Sequence, residues 1–230
     1  MKAQVGKTYL TEIPHEGRKL TFQYPAFRGT YGSVAESIDK EGLQRPISSE
    51  TASLVYDAFQ NEKGEYESQI IDILKDAWIW EFTGNLYLPK SNEEVSNGVI
   101  LENNPDISTN RRLNMNKQSL VKRLQSNDPL VKFVPFGYKT GEQNLIELQE
   151  NPYIVARYGE EGAQKISEVA SKYKKSPVLY SFDSVDEEKA RMSALGRDWS
   201  FGCGLCVYGS DWGDNSIGHA FGVCAPKKSE

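Results

Sequence analysis

Residues 190–226 read ARMSALGRDWSFGCGLCVYGSDWGDNSIGHAFGVCAP, a stretch unlike the rest of the chain. It contains no Lys, Glu or Gln, yet it holds all three Cys, two of the four Trp and seven of the 19 Gly. Apolar positions alternate through Leu205, Val207 and Gly209, with Cys206 and Tyr208 between them. A strand points successive side chains to opposite faces, so one set packs and the other is presented. Ala220–Val223 is a second strand-like run. The residues between are those of recognition surfaces, rigid aromatic anchors beside small hydrogen-bonding groups. Long flexible side chains, which are costly to order, are missing. The plainer alternative is a C-terminal hairpin with a glycine-rich loop.

Upstream, Thr8–Ile13 and Lys19–Tyr24 flank His15-Glu16-Gly17 and predict a hairpin. Gly29–Gly32 reads as a turn. The serines after Pro46 cap a helix running to about Gln60, with Ala52, Val55, Tyr56 and Phe59 on one face. A second helix is expected over Glu65–Ala77, where Ile70, Ile71, Leu74 and Ala77 recur at helical spacing. Trp78–Phe82 and Asn85–Leu88 read as strands around Thr83-Gly84, followed by a short strand at Val99–Glu102. The polar run Asn103–Asn116 reads as a surface loop, and Asn116 caps a helix through Leu124. Val131–Phe136 and Pro177–Phe182 are expected strands. Gly159–Tyr173 is an amphipathic helix with Ala163, Ile166, Val169, Ala170 and Tyr173 inward. Helices set among many short strands, with no repeat or long linker, predict one α+β domain over residues 1–230. A boundary near residue 104 is the weaker alternative.

The chain has 230 residues with 38% hydrophobic and 26% charged residues, enough to bury a core. A net charge of −5 argues against a nucleic-acid groove as the main surface. No apolar run is long enough to span a membrane, and MKAQVGKTYLTEIP carries no apolar leader core. Cellular location is left open.

The C-terminal pattern carries a resemblance. Ser193-Ala194-Leu195, then Leu205-x-Val207-x-Gly209, then Gly218-His219-Ala220-Phe221-Gly222-Val223 resembles the C-terminus of variable proteins of diversity-generating retroelements. The resemblance covers about the last 35 residues. It implies a C-type lectin fold of the formylglycine-generating-enzyme type, in which residues 190–226 form a diversified ligand-binding segment. In that family, copying with adenine mutagenesis scatters Asn codons toward residues that exclude Lys, Glu, Gln, Met and Trp. The implied variable, ligand-facing positions are Gly196, Asp198, Ser200, Gly202, Cys203, Gly204, Cys206, Tyr208, Ser210, Asp211, Asp214, Asn215, Ser216 and His219. Trp212 joins them as an aromatic anchor, although it and Trp199 depart from the codon pattern, and Arg197 is ambiguous. Leu205, Val207, Gly209 and Ala220–Val223 would be scaffold. The implied function is non-catalytic binding of a protein or surface ligand by a monomer, without a cofactor.

The strongest rival is a zinc-stabilised interaction domain. Cys203-x2-Cys206-x12-His219-x4-Cys224 has the spacing of a closed Cys3His site. Against it, a strand through Cys203 and Cys206 points them to opposite faces, so Gly204 would have to supply a turn. A redox CxxC would open a helix, and no helical pattern follows Cys206. Asp211, Asp214 and Asn215 are too loosely spaced for a calcium cage. Neither His15 nor His219 has a nucleophile at a recognisable motif. Glu93-Glu94, Glu160-Glu161 and Glu187-Glu188 read as solvated or helix-start charge rather than acid–base machinery.

Overall fold

The computed structural model describes residues 8–108, 110–197, 204–211 and 216–225. The chain opens with a hairpin, β1 (Thr8–His15) and β2 (Arg18–Tyr24), turned through Glu16 and Gly17 at φ of 46° and 73°. Then follow β3 (Phe27–Gly29), α1 (Tyr31–Lys40), α2 (Ser48–Gln60), α3 (Glu65–Asp76), β4 (Trp78–Leu88) and β5 (Gly98–Asn103). A small pair, β6 (Asp106–Ile107) and β7 (Leu113–Asn114), precedes α4 (Lys117–Gln125), β8 (Val131–Pro135) and β9 (Gly141–Glu142). The chain continues through α5 (Leu145–Glu150), α6 (Pro152–Ala170), β10 (Val178–Tyr180), β11 (Lys189–Gly196), β12 (Cys206–Asp211) and β13 (Gly218–Ala220). This is a mixed α+β architecture with mostly antiparallel strands. Among the described residues, no helix is long and apolar enough to cross a membrane.

Local chemistry explains the helix starts. Thr30, Asn116, Asn144 and Asn151 each accept a backbone N–H of the first turn of α1, α4, α5 and α6. At α2 the Glu50 carboxylate reaches back to the N–H of Ile47 at 3.1 Å.

The main sheet runs β3-β13-β4-β11-β12-β10-β9, and β5 and β8 extend it from the far half of β4. The division follows from the length of β4. Trp78 and Ile79 pair with β13, whereas Thr83–Leu88 pair with β5, and β11 runs along the opposite edge. All three C-terminal strands therefore lie inside the sheet. Alternation assigns their side chains. Leu195, Val207 and Leu205 join Ile79 and Leu179 in the core beneath α2, α3 and α6. Ala194, Cys206, Tyr208 and Ala220 join Trp80 and Phe82 on the other face, where α1 packs with Tyr31, Val34, Ala35 and Ile38. Further along that second face, α4 covers Leu86, Leu88, Ile100 and Val131 with Leu120.

Several expectations are revised. Residues 29–32 are not a simple turn, because Thr30 caps α1. Thr83-Gly84 does not break β4, since Gly84 leaves room for Met115 and Pro105 to pack over a continuous strand. The expected loop at 103–116 contains the β6–β7 pair. The helix expected from Gly159 does start there, after a kink at φ 73°, and a further helical segment from Pro152 precedes it within α6.

Candidate functional site

The ends of the C-terminal strands are fastened to the body by a buried polar network. Its centre is Arg157 of α6, ion-paired with Glu81 of β4, both side chains fully buried. Burial pushes the Glu81 carboxyl upward, and the guanidinium and the Tyr158 hydroxyl, 3.1 Å from Oε2, pull it back. The guanidinium donates to Ser48 Oγ at 3.0 Å, Tyr208 O at 2.8 Å and Ala194 O at 3.4 Å. The Tyr153 hydroxyl donates to Asn85 Oδ1 at 2.6 Å, and the Asn85 amide donates to Arg191 O at 3.2 Å and Ser193 Oγ at 2.9 Å. The Tyr87 hydroxyl donates to Gly209 O at 2.8 Å.

A bulge makes these bonds necessary. Arg191 pairs with Asn85 but Ser193 with Glu81, so β4 carries extra residues there and the ladder breaks. Phe82, in the gap, finds partners outside the ladder, giving its N–H to Pro46 O and accepting from Asn104 N–H. A second shift, where Met192 pairs with Asp211 but Ala194 with Tyr208, breaks the β11–β12 ladder, and the carbonyls of Arg191, Tyr208 and Gly209 find partners in Asn85, Arg157 and Tyr87.

On the opposite face three aromatic rings form a row. Trp78 meets Tyr208 edge-on with centroids 4.6 Å apart, and Tyr208 stacks on Tyr180 at 4.8 Å with planes 9° apart. Trp78 and Tyr180 are half-buried, and Tyr208 is 9% exposed. The indole of Trp78 reaches across β11 because Gly196 has no side chain; a Cβ there would lie 3.0 Å from Trp78 Cε3 and 3.0 Å from Ala77 O. Ser210 lies next along this face and donates to Tyr180 O at 3.3 Å.

The sequence-implied binding residues thus separate into groups. Gly196, Gly204, Cys206 and Tyr208 are buried, so they are structural and not displayed. A Cβ on Gly204 would sit 2.3 Å from Lys175 O, which leaves no room for a variable side chain. Ser210 and Ser216 are half-buried and reachable. His219 is half-buried on the other side of the sheet, between Gly218 and Ala220 and opposite Arg28. Burial and the Arg28 charge push its imidazole below the ordinary value. Asp211 pairs with Met192 through its backbone. Asp198, Ser200, Gly202, Cys203, Trp212, Asp214 and Asn215 lie outside the described residues.

The zinc arrangement does not assemble around Cys206 and His219. Their strands are three places apart in the sheet, about 14 Å, and the side chains leave opposite faces. A tetrahedral ion holds its ligand atoms within about 4 Å of one another. Among the described residues no group of three or more His, Cys, Asp or Glu is placed to hold a metal ion.

Sequence reasoning missed Arg157, Glu81, Asn85, Tyr153 and Tyr180. The signal available was the run Trp78-Ile79-Trp80-Glu81-Phe82, where a glutamate interrupts an otherwise apolar strand and asks for a buried cation. The chain matches no protein-family model, no curated protein and no solved structure.

Proposed function

We propose that this chain is a non-catalytic ligand-binding protein with a C-type-lectin-like build, and that segments joined to its C-terminal strands form a diversified recognition surface. One observation carries the reading. The body grips β11 and β12 through main-chain carbonyls, those of Ala194, Tyr208 and Gly209. Bonds to main chain are indifferent to side-chain identity, so neighbouring positions can change while the strands keep their places. A rigid scaffold carrying changeable segments is how binding loops are generally presented. The composition of residues 190–226, rich in Gly, Ser, Asp and aromatics and free of Lys, Glu and Gln, supports the same reading. The α+β architecture with a mostly antiparallel sheet accommodates the lectin-type fold that the resemblance implies.

The test is the DNA beside the gene. A near-copy of the codons for residues 193–224, differing at template adenines and accompanied by a reverse-transcriptase gene, is the expected finding. A locus without such a copy would remove diversification from the proposal. Immobilised protein from two sister copies that differ only at the mismatched codons should then capture different ligands.

A further inference from the structure

We propose that His15, Ser53 and Lys165 form an acid-sensitive latch that docks the tip of the β1–β2 hairpin onto helices α2 and α6. The cluster gathers an imidazole, a hydroxyl and an ammonium at one buried point. Lys165 Nζ spends its three donors on Pro14 O at 2.8 Å, Ser53 Oγ at 2.9 Å and Glu161 Oε1 at 2.5 Å. Ser53 Oγ also bonds His15 Nδ1 at 3.0 Å, so the imidazole and the Lys165 ammonium share one hydroxyl. The backbone N–H of Glu16 completes the dock, donating to both Glu161 oxygens at 3.2 and 3.1 Å.

Protonating the imidazole puts a second cation beside the Lys165 ammonium, with one shared hydroxyl between them. His15 is 2% exposed. Lys165 faces it from α6 and Arg18 from its own hairpin; Arg18 is paired with Glu50 of α2 at 3.3 Å. The opposing carboxylates are Glu161, already taken by Lys165, and Glu16, whose Oε2 lies 3.7 Å from Nε2 but is 53% exposed and so screened. Burial, opposed by Glu16 and reinforced by Arg18 and Lys165, pushes the imidazole below its ordinary value of 6.5. The sign follows: docking has full strength above pH 6.5 and is lost as the pH falls below it.

The hairpin also holds the end of the chain. Gln23 N–H donates to Gly222 O and Cys224 N–H to Thr21 O, both at 2.8 Å, so the latched strand lies against the residues that follow β13. The latch stands whether or not the C-terminal surface is diversified.

The test is an NMR titration of the whole chain, with His219→Gln to assign the two imidazoles. His15 should titrate below its ordinary value, and the hydrogen-exchange protection of the amides of residues 13–17 should fall from pH 6.5 downward, by at most about tenfold per pH unit, and level off at the midpoint of the docked imidazole. His15→Asn keeps a side chain that can bond Ser53 in either direction and cannot be protonated, and should hold that protection constant from about pH 7.5 to about pH 5. The latch is overturned if His15 titrates at the ordinary value with the tip unmoved, or if His15→Asn loses protection as the parent does. Should that variant fail to fold, the parent titration decides alone.

Discussion

Arg157 of α6 and Glu81 of β4 make an ion pair from which water is excluded on both sides, and the same guanidinium reaches Tyr208 O in β12 at 2.8 Å. A buried pair of this kind adds little net stability, because removing two charges from water costs about as much as their attraction returns. What it fixes is register. A slip of one residue would carry Leu205 and Val207 out of the α2–α6 core and bring Cys206 and Tyr208 into it. The C-terminal strands therefore sit where the body directs them.

Removing the cation should expose that cost. Arg157→Met leaves Glu81 buried without its partner and should lower unfolding stability by about 3–5 kcal/mol in urea. Adding Glu81→Leu to the same protein should recover much of the loss. A double variant no more stable than Arg157→Met would show that the unpaired carboxylate is not the cause.

Two glycines of the C-terminal segment have no room to vary. A Cβ on Gly204 would meet Lys175 O at 2.3 Å, and one on Gly209 would meet the Tyr153 hydroxyl at 1.9 Å, within the network just described. Gly204→Ala and Gly209→Ala should each cost about 1–3 kcal/mol. If sister copies of the gene exist, both codons should be constant among them. A stable, natively folded Gly209→Ala protein would mean that Tyr153 can leave Asn85 without penalty.

Local chemistry made much of this fold legible. The hairpin, α3 and α4 follow from turn residues, the Asn116 cap and helical spacing, whereas α2 has its spacing but not its expected serine cap: Ser48 and Ser49 lie inside the helix and Glu50 serves the Ile47 N–H. Helix α1 was hidden because Gly29 and Gly32 bracket its start; the Thr30 cap and the spacing of Val34, Ala35 and Ile38 were the available signal. Strand β4 looked divided at Thr83-Gly84, where the glycine serves packing and not a turn. The alternation of Leu205 and Val207 against Cys206 and Tyr208 was readable, but which set faces solvent was not. Both sets are buried, since the sheet has cores on both sides. Arg157 and Glu81 are 76 positions apart, and no periodic pattern links them.

Tyr208 should behave as core. Its ring is held between Trp78 and Tyr180, so Tyr208→Ala should cost about 3 kcal/mol and lower the melting temperature by several degrees. Ser216→Ala, at a half-buried position outside the strands, should change stability by less than about 0.5 kcal/mol. Thermal melts of the two variants separate the roles. Equal and negligible effects would return Tyr208 to the displayed set.

Metal removal gives the last contrast. Structural zinc contributes folding free energy directly, so a domain closed by Cys203, Cys206, His219 and Cys224 would lose its C-terminal structure on chelation. Cys206 packs beside Trp80 and Ala194, and His219 leaves the opposite face three strands away. Excess EDTA should therefore leave the melting temperature unchanged, and purified protein should carry well under one equivalent of zinc. Cys206→Val, which keeps the site apolar and of similar volume, should retain the fold. A melting temperature that falls on chelation and recovers with added zinc would require another set of ligands to lie within this chain.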